Sequence, residues 1–397
     1  MHSTAQVGER VAAPAAQPVS DVVVVGTGPA GIAAAVALQD AGVRPVVLEQ
    51  ADRVAASWRR RYDRLRLNTW RVNSHLPKRP YPKGTPTFPT RDQLIAHLEE
   101  HARGDGIDLR LGTRVERLDR VADGWAVHTA TGEVRAAQVV VATGYEHEPL
   151  IPDWPGRDRF AGRLLHAADY RNAEPFAGQD VLVVGAGCSG MEIAHDLADG
   201  GAARVRLAVR TPPNIVARQG PGPVPGDLIA VTLWHAPTRF ADAFARFGRR
   251  QDFGDLSAYG LPVPAEGVFS RARRLGVAPS IVDAEVIDAI RAGRIEVVAA
   301  VEALDQTGVR LADGSRLEPA AVICATGYRR ALEPLVGHLG VLDERGVPRV
   351  VGECAAADGL RFIGYVPRPG GIGYMAKEAR RAARAIAREL RRAQQVA

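Results

Sequence analysis

The chain has 397 residues, 46% hydrophobic and 24% charged, with a formal net charge of +6. That length sets a prior of about two to three domains, and the balance is ordinary for a globular chain. The positive excess is almost wholly arginine, scattered along the chain, with lysine only at 78, 83 and 377; this excludes the clustered basic face of a nucleic-acid binder, and no apolar run is long enough to span a membrane.

Residues 1–20 are rich in Ala, Pro and Gln without an apolar core, which predicts a disordered tail and no signal peptide. Then comes Asp21-Val-Val-Val-Val-Gly26-Thr27-Gly28-Pro29-Ala30-Gly31, a strand running into G-x-G-x-x-G and an alanine-rich helix over 29–41. These glycines permit a tight turn and let main-chain N–H groups meet a pyrophosphate at the helix N-terminus. The next strand ends Pro45-Val-Val-Leu-Glu49-Gln50. Glu49 lies 23 residues past Gly26, where an acid accepts hydrogen bonds from ribose hydroxyls and repels a 2′-phosphate. FAD is the cofactor expected at this first site.

The segment 62–90 is rich in Pro, Arg and aromatics with little periodicity, and a connection that long usually carries function. A helix is expected over 91–103. Strands at 108–111, 114–121 and 125–129 read as an inserted antiparallel piece turning at Asp123-Gly124. Val139-Val-Val-Ala-Thr143-Gly144 returns to the main sheet, and prolines 149 to 155 punctuate a crossover.

A second fingerprint, Asp180-Val-Leu-Val-Val-Gly185-Ala186-Gly187-Cys188-Ser189-Gly190, begins its glycines 159 residues after the first. One such motif is weak evidence; two in strand–turn–helix context point to two dinucleotide sites. Its second strand ends Val205-Arg-Leu-Ala-Val-Arg210-Thr211. Arg210, 25 residues past Gly185, is placed to grip a 2′-phosphate through paired charge-assisted hydrogen bonds, which selects NADPH. This sheet is expected to run through 181–184, 205–209 and 295–298, with a helix near 238–249. Ala321-Val-Ile-Cys-Ala-Thr326-Gly327-Tyr328 mirrors the strand ending at Gly144 and is expected to carry the chain back to the first unit. Leu360–Gly364 reads as a last strand. Residues 374–393 form a terminal helix with apolar positions at Ala376, Ala379, Ala383, Ile386 and Leu390.

The fold class is therefore α/β, with two Rossmann-like dinucleotide-binding domains: an FAD domain over 21–154 and 321–393, and an inserted NADPH domain over 155–320. Cys188, Cys324 and Cys354 include no C-x-x-C and no metal-ligand spacing, so no metal is expected, and buried thiols in a reducing cytoplasm are the natural reading.

Between the fingerprints stands Phe160-Ala-Gly162-Arg-Leu-Leu-His166-Ala-Ala-Asp-Tyr170, or F-x-G-x-x-x-H-x-x-x-Y. Here the chain resembles the class B flavoprotein monooxygenases, most closely the YUCCA-type and flavin-containing monooxygenases. Tyr62-Asp-Arg-Leu-Arg-Leu, Phe88-Pro-Thr-Arg-Asp-Gln-Leu and Ala325-Thr-Gly-Tyr328 share in the likeness, which covers about residues 20 to 390. The resemblance implies an enzyme that places one oxygen atom of O2 into a small organic substrate through a flavin C4a-hydroperoxide. N- or S-oxygenation, oxidative decarboxylation of a 2-oxo acid, and Baeyer–Villiger insertion remain open within that class. The other class this fold hosts, the NADPH-flavin disulfide reductases, needs a redox cysteine pair near the flavin, and none is visible in the sequence. A homodimer is left open.

The resemblance places Trp58 and Arg59 beside the flavin, with Ala55-Ala56 where the family usually has two glycines, and it aligns Asn68 with an asparagine that contacts flavin and nicotinamide. The expected FAD-lining set is Gly26, Gly28, Pro29, Ala30, Gly31, Glu49, Gln50, Trp58, Arg59, Asn68, Thr69, Val115, Thr143 and Gly144, with Asn68 as the candidate catalytic residue. The expected NADPH set is Gly185, Gly187, Cys188, Ser189, Gly190, Arg210 and Thr211. His166 is expected to shape the linker rather than to transfer protons.

Overall fold

A computed structural model describes residues 20–396 apart from 105, 221 and 223. The tail expected over 1–20 lies outside the described residues except for Ser20. In chain order the first elements are β1 (Ser20–Val25), α1 (Pro29–Asp40), β2 (Pro45–Leu48), α2 (Ala56–Arg59), α3 (Arg91–Ala102), β3 (Asp108–Arg110), β4 (Val115–Val121), β5 (Gly124–Thr129), β6 (Gly132–Val141) and β7 (Glu148–Pro149). The middle of the chain forms β8 (Arg163–His166), β9 (Asp180–Val184), α4 (Cys188–Asp199), β10 (Arg204–Ala208), β11 (Ile215–Ala217), α5 (Gly226–Leu233), α6 (Thr238–Phe253), α7 (Val268–Leu275), β12 (Ser280–Val282), α8 (Ala284–Arg291) and β13 (Glu296–Val298). The remainder forms β14 (Val301–Leu304), β15 (Val309–Leu311), β16 (Arg316–Leu317), β17 (Ala321–Cys324), β18 (Tyr328–Arg329), α9 (Glu333–Val336), β19 (Leu360–Phe362) and α10 (Gly371–Val396).

The first sheet has the order β3-β2-β1-β6-β5-β4, with β19 also on β6. Val22 to Val25 of β1 are all buried, as a parallel strand covered on both faces requires. One face is covered by α1, α3 and α10. The other carries Trp125, Val139, Leu335, Phe362 and Tyr365. Helix α1 has no polar face over its middle: Ala30 to Leu38 are all buried, because the sheet lies on one side and α10 on the other.

Two expectations are corrected here. The strand at 108–111 is not part of an antiparallel insert, since β3 pairs in parallel with β2 at the sheet edge. The antiparallel strands β4 and β5 extend the same sheet rather than forming a separate piece. Strand β6 is long enough to pair with β5 over Gly132 to Ala136 and with β19 over Val139 to Val141.

The second sheet, β13-β10-β9-β17-β8, is wholly parallel. It includes β17, so Ala321–Cys324 does not open the return to the first unit. Ala321 to Cys324 are buried between β8 and β9, and the chain crosses back only after them, through the short antiparallel ribbon of β18 and β7. The helix expected near 238–249 extends to Phe253 and is joined by α5 and α7.

Candidate active site

The first glycine turn closes at the carboxyl ends of β1, β2 and β6. Gly26 takes φ +104°, and a Cβ there would lie 2.8 Å from the Ala142 carbonyl oxygen. A Cβ on Gly31 would sit 1.9 Å from the Gly26 oxygen, while one on Gly28 would meet nothing within 4 Å. The space in front of the α1 N-terminus is thus open to a ligand, and the turn beneath it is closed to side chains. Glu49 is buried at the end of β2. It accepts from Thr27 N at 2.9 Å, from Thr27 Oγ1 at 2.5 Å, and from Ala51 N at 3.0 Å. A carboxylate has about four acceptor sites, so one remains for a ribose hydroxyl. Thr27, fully buried, is a member of this site that motif reading passed over, because it occupies a variable position of the fingerprint.

Other expected residues converge on the same edge. The Thr113 N–H donates to the Glu49 carbonyl at 2.7 Å, which brings the start of β4, and with it Val115, alongside Glu49 and the exposed Gln50. Thr143 follows β6, and Gly144 takes φ +83°. The Tyr365 hydroxyl accepts from Thr143 N at 3.2 Å and lies 2.7 Å from Thr143 Oγ1. A Cβ on Gly364 would come within 2.7 Å of Ala30 Cβ, and one on Gly371 within 3.2 Å of Thr69 Cγ2. The segment 364–371 therefore closes the site from the C-terminal side, a placement invisible in the sequence because its contacts are several hundred residues away.

Trp58 packs partly buried against the core. Ala55 has φ +60° at the N-cap of α2, a left-handed conformation that costs alanine roughly 1–2 kcal/mol relative to glycine. Arg59 differs from expectation. It donates to the Val54 carbonyl at 3.1 Å and pairs with Glu99 of α3, so its guanidinium pins this loop to α3. Asn68 Oδ1 is buried without a hydrogen-bond partner, next to Thr69. An orphaned buried acceptor of this kind is satisfied by a ligand or by water. Together with the open cradle at Gly28 it fits a flavin lying between the turn and Thr69.

The second turn repeats the first. Gly185 has φ +108°, a Cβ on Gly190 would sit 1.8 Å from the Gly185 oxygen, and one on Gly187 would meet nothing within 4 Å. Cys188 opens α4, accepts from Ile281 N at 3.2 Å, and approaches the Pro279 carbonyl at 3.4 Å. Burial pushes its thiol up to about 11, so it is a structural thiol. Ser189 lies in the first turn of α4. Arg210 and Thr211 are exposed just beyond β10, at the same sheet edge as the turn, since the Gly185 N–H donates to the Ala208 carbonyl at 3.0 Å. The open cradle and the Arg210 guanidinium, which meets no carboxylate among the described residues, fit a phosphorylated dinucleotide.

The linker motif acts between the two sheets. His166 ends β8, where its Nδ1 accepts from Ala168 N at 3.0 Å and its Nε2 donates to the Gly327 carbonyl at 3.0 Å. Burial lowers its pKa. Both ring nitrogens are occupied by main chain. Gly162 admits the Phe160 ring, which a Cβ would meet at 2.5 Å, and the Tyr170 hydroxyl donates to Asp196 of α4 at 2.6 Å. Arg61 joins the two returns: it pairs with Glu146 after β6 and donates to the Tyr328 hydroxyl after β17 at 2.9 Å. Tyr62 donates to Glu192 of α4 at 2.5 Å, and Glu192 in turn pairs with the buried Arg218. A cleft of 870 Å³ beside that helix is lined by Arg64, Glu192, Asp199, Asp252, Asp283 and Glu285 among others. Its carboxylates outnumber its cations, which suits a phosphate poorly. Arg61 and Arg218 carry no motif signature, and Tyr62, which heads one of the stretches shared with the family, gains its role between the two units only from its contact with Glu192.

The pyridine nucleotide-disulphide oxidoreductase family profile matches residues 23–219. The indole-3-pyruvate monooxygenase YUCCA1 of Oryza sativa subsp. japonica is 36% identical over 357 residues, covering 88% of this chain and 87% of that protein. A probable indole-3-pyruvate monooxygenase of Arabidopsis thaliana, YUCCA8, is 33% identical over 87% of this chain and 84% of its own length. Among solved structures, a flavin-containing monooxygenase from Stenotrophomonas maltophilia superposes with a TM-score of 0.71 at 23% identity, over 93% of this chain and 98% of that one. A bacillithiol disulfide reductase from Bacillus cereus reaches 0.68 at 20% identity, over 94% of this chain and 100% of that one, so the fold alone does not separate oxygenases from reductases. In this chain all three cysteines are free thiols, two of them at least partly buried and Cys354 exposed. Identity over nearly the whole length decides the matter: the chain belongs to the YUCCA-type flavin monooxygenases, and is an FAD- and NADPH-dependent oxidoreductase.

Proposed function

We propose that this enzyme oxidises a small aryl-substituted 2-oxo acid to the carboxylic acid one carbon shorter. The observation that carries this reading is the 36% identity over 88% of the chain with a relative named for indole-3-pyruvate. When bound, FAD accepts hydride from NADPH and delivers electrons to O2. The overall balance consumes the 2-oxo acid, O2, NADPH and a proton. It yields the shortened acid, CO2, water and NADP⁺, with one oxygen atom of O2 in the new carboxylate and the other in water.

The residues have distinct tasks in this reading. Residues 20–149 with 328–396 hold FAD, and the segment between them holds NADPH. Main-chain N–H groups at the two helix N-termini take the pyrophosphates, Glu49 takes a ribose hydroxyl, and Arg210 takes the 2′-phosphate. Asn68 directs its amide at the flavin–nicotinamide contact, and the orphaned Oδ1 is the atom that supports this role. Arg61, His166 and Tyr328 hold the two units in register. Among the described residues no helix is long and apolar enough to cross a membrane, and the free cysteines support a cytoplasmic location.

The test is NADPH-dependent O2 uptake by the flavin-loaded protein with arylpyruvates, amines and sulfides, with product mass measured after reaction under ¹⁸O2. A shortened acid carrying one ¹⁸O supports the reading. Label found only in an N- or S-oxide overturns it. Arg210→Ala is expected to raise the NADPH KM about tenfold to a hundredfold, the loss of one charge-assisted contact, and to leave the NADH KM nearly unchanged.

A further inference from the structure

Two exposed arginines on one side of the flavin site stack on the same aromatic ring without a carboxylate partner. Arg273 of α7 lies 5.0 Å over the Trp234 ring and donates to the Trp234 carbonyl at 2.5 Å. Arg368 lies 5.7 Å over Trp234 and 4.8 Å over Tyr374. Phe269 completes the group, 6.3 Å from Trp234. The adjacent Arg274 has Glu266 as its partner, whereas among the described residues neither Arg273 nor Arg368 has a carboxylate within ion-pair distance.

The position of this cluster gives it meaning. Trp234 ends α5, Tyr374 lies in the first turn of α10, and Arg368 stands in the segment 364–371 that closes the FAD site. A Cβ on Gly370 would lie 3.3 Å from Val231 of α5, and one on Gly371 3.2 Å from Thr69. Asn73, from the loop that follows Thr69, donates to Asp227 of α5 at 2.8 Å. The aromatic and cationic cluster thus borders the side of the site marked by Asn68 and Thr69. A guanidinium stacked on a ring still presents N–H groups at its edge, in the fork that matches a carboxylate; Arg273 gives one of them to the Trp234 carbonyl and keeps the others. Two unpaired cations beside three aromatic rings form a poor environment for an amine and a complementary one for a planar anion.

We infer that Arg368 and Arg273 are the specificity residues of this enzyme, binding the carboxylate of an aromatic acid substrate between α5, α7 and the start of α10. This rests on the 2-oxo acid reading above and extends it to named side chains.

The experiment is equilibrium titration of the FAD-loaded protein, followed by Trp fluorescence and calorimetry, with indole-3-acetate and its uncharged isostere indole-3-acetamide. Wild type is expected to bind the acid at least tenfold more tightly than the amide. Arg368→Gln is expected to abolish that preference, Arg273→Gln to reduce it, and Arg368→Lys to restore part of it. Both arginines are exposed, so these variants are expected to keep their flavin absorbance and melting temperature. Equal binding of acid and amide by wild type overturns the inference, as does an unchanged preference in Arg368→Gln. Displacement of the acid by NADP⁺ in strict competition also overturns it, since that outcome gives the arginines to the nucleotide. The two proposals fail separately. An arginine-dependent acid preference without turnover of any 2-oxo acid removes the reaction and keeps the site. Turnover of 2-oxo acids with an unchanged KM in Arg368→Gln does the reverse.

Discussion

At the residue scale, the glycines of each fingerprint divide into two kinds that the motif writes with one letter. Gly31 and Gly190 are structural, because a Cβ there would lie 1.9 Å or 1.8 Å from a main-chain oxygen of the same turn. Gly28 and Gly187 have ordinary negative φ, near −70° and −77°, and a Cβ there meets nothing; their methyl would point only into ligand space. Gly28→Ala is therefore expected to fold with near-native circular dichroism and to purify without bound flavin. Gly31→Ala is expected to fail at the earlier step, with a lowered melting temperature even in excess FAD. Parallel measurement of flavin content and thermal unfolding checks the pair, and the expectation fails if both lose stability equally. Cys188 illustrates the opposite case. It stands within the motif, yet burial raises its thiol to about 11 and that of Cys324 to about 12. Neither is poised as a nucleophile.

At the scale of elements, α3 shows how a helix secures the long loop that approaches the flavin. Thr90 and Gln93 form a capping box at its start, and Arg59 is tied to Glu99 further along it. His97, buried on the inner face, stacks on Tyr81 with centroids 4.3 Å apart and accepts from Leu76 N at 3.3 Å through Nε2. That bond leaves the proton on Nδ1. Possible ligand atoms of His97, Glu100 and His101 come within 4.8 Å of one another, but a protonated Nδ1 cannot ligate, and His97 is the buried, packed member while Glu100 is exposed. Burial lowers the His97 pKa to about 4, below its unfolded value near 6.5. Between those values only the unfolded chain takes up the proton. Stability is thus unaffected above about pH 6.5 and falls as pH drops toward 4, by on the order of 2–4 kcal/mol in all. His97→Gln keeps an acceptor for Leu76 N and does not titrate. Melting temperatures from pH 7 to 4.5 are expected to fall less steeply in this variant than in wild type.

At the scale of the whole molecule, a buried charge group of the second unit is tied to the first unit through the Tyr62 hydroxyl. Arg218 is 3% exposed, and contacts Glu192 and, at 2.8 Å, Asp283. Glu192 also accepts from Tyr62, whose hydroxyl keeps its proton because burial and the nearby Glu192 carboxylate push its pKa well up. Removing one member of such a group strands the others, at a cost of about 3–5 kcal/mol, whereas an apolar replacement of both partners is far milder. Glu192→Ala is expected to lower stability by about that amount in urea unfolding of the flavin-loaded protein. The double variant Glu192→Leu, Arg218→Met is expected to lose much less than the sum of its parts. Additive losses would show that the pair is not coupled.

The sequence by itself determined the two strand–turn–helix units, the cofactor type and the enzyme class. The units and cofactor type rest on local chemistry: consecutive β-branched residues, glycines where a turn leaves no room for a side chain, and an acid or an arginine at a fixed distance beyond; the enzyme class rests on the family resemblance carried by the motif at residues 160–170. It also marked the apolar face of the last helix, since Ala376, Ala379, Ala383 and Ile386 are buried against the first unit. Only the tertiary structure decided that β17 completes the second sheet, that β3 runs parallel, and that Arg59 is turned to Glu99. The same holds for the closure of the site by residues 364–371 and for the gathering of Trp234, Arg273 and Arg368 beside it. Each of these depends on pairing between segments far apart in the chain. The energy of such a contact belongs to both partners, and a one-dimensional pattern records only one of them at a time.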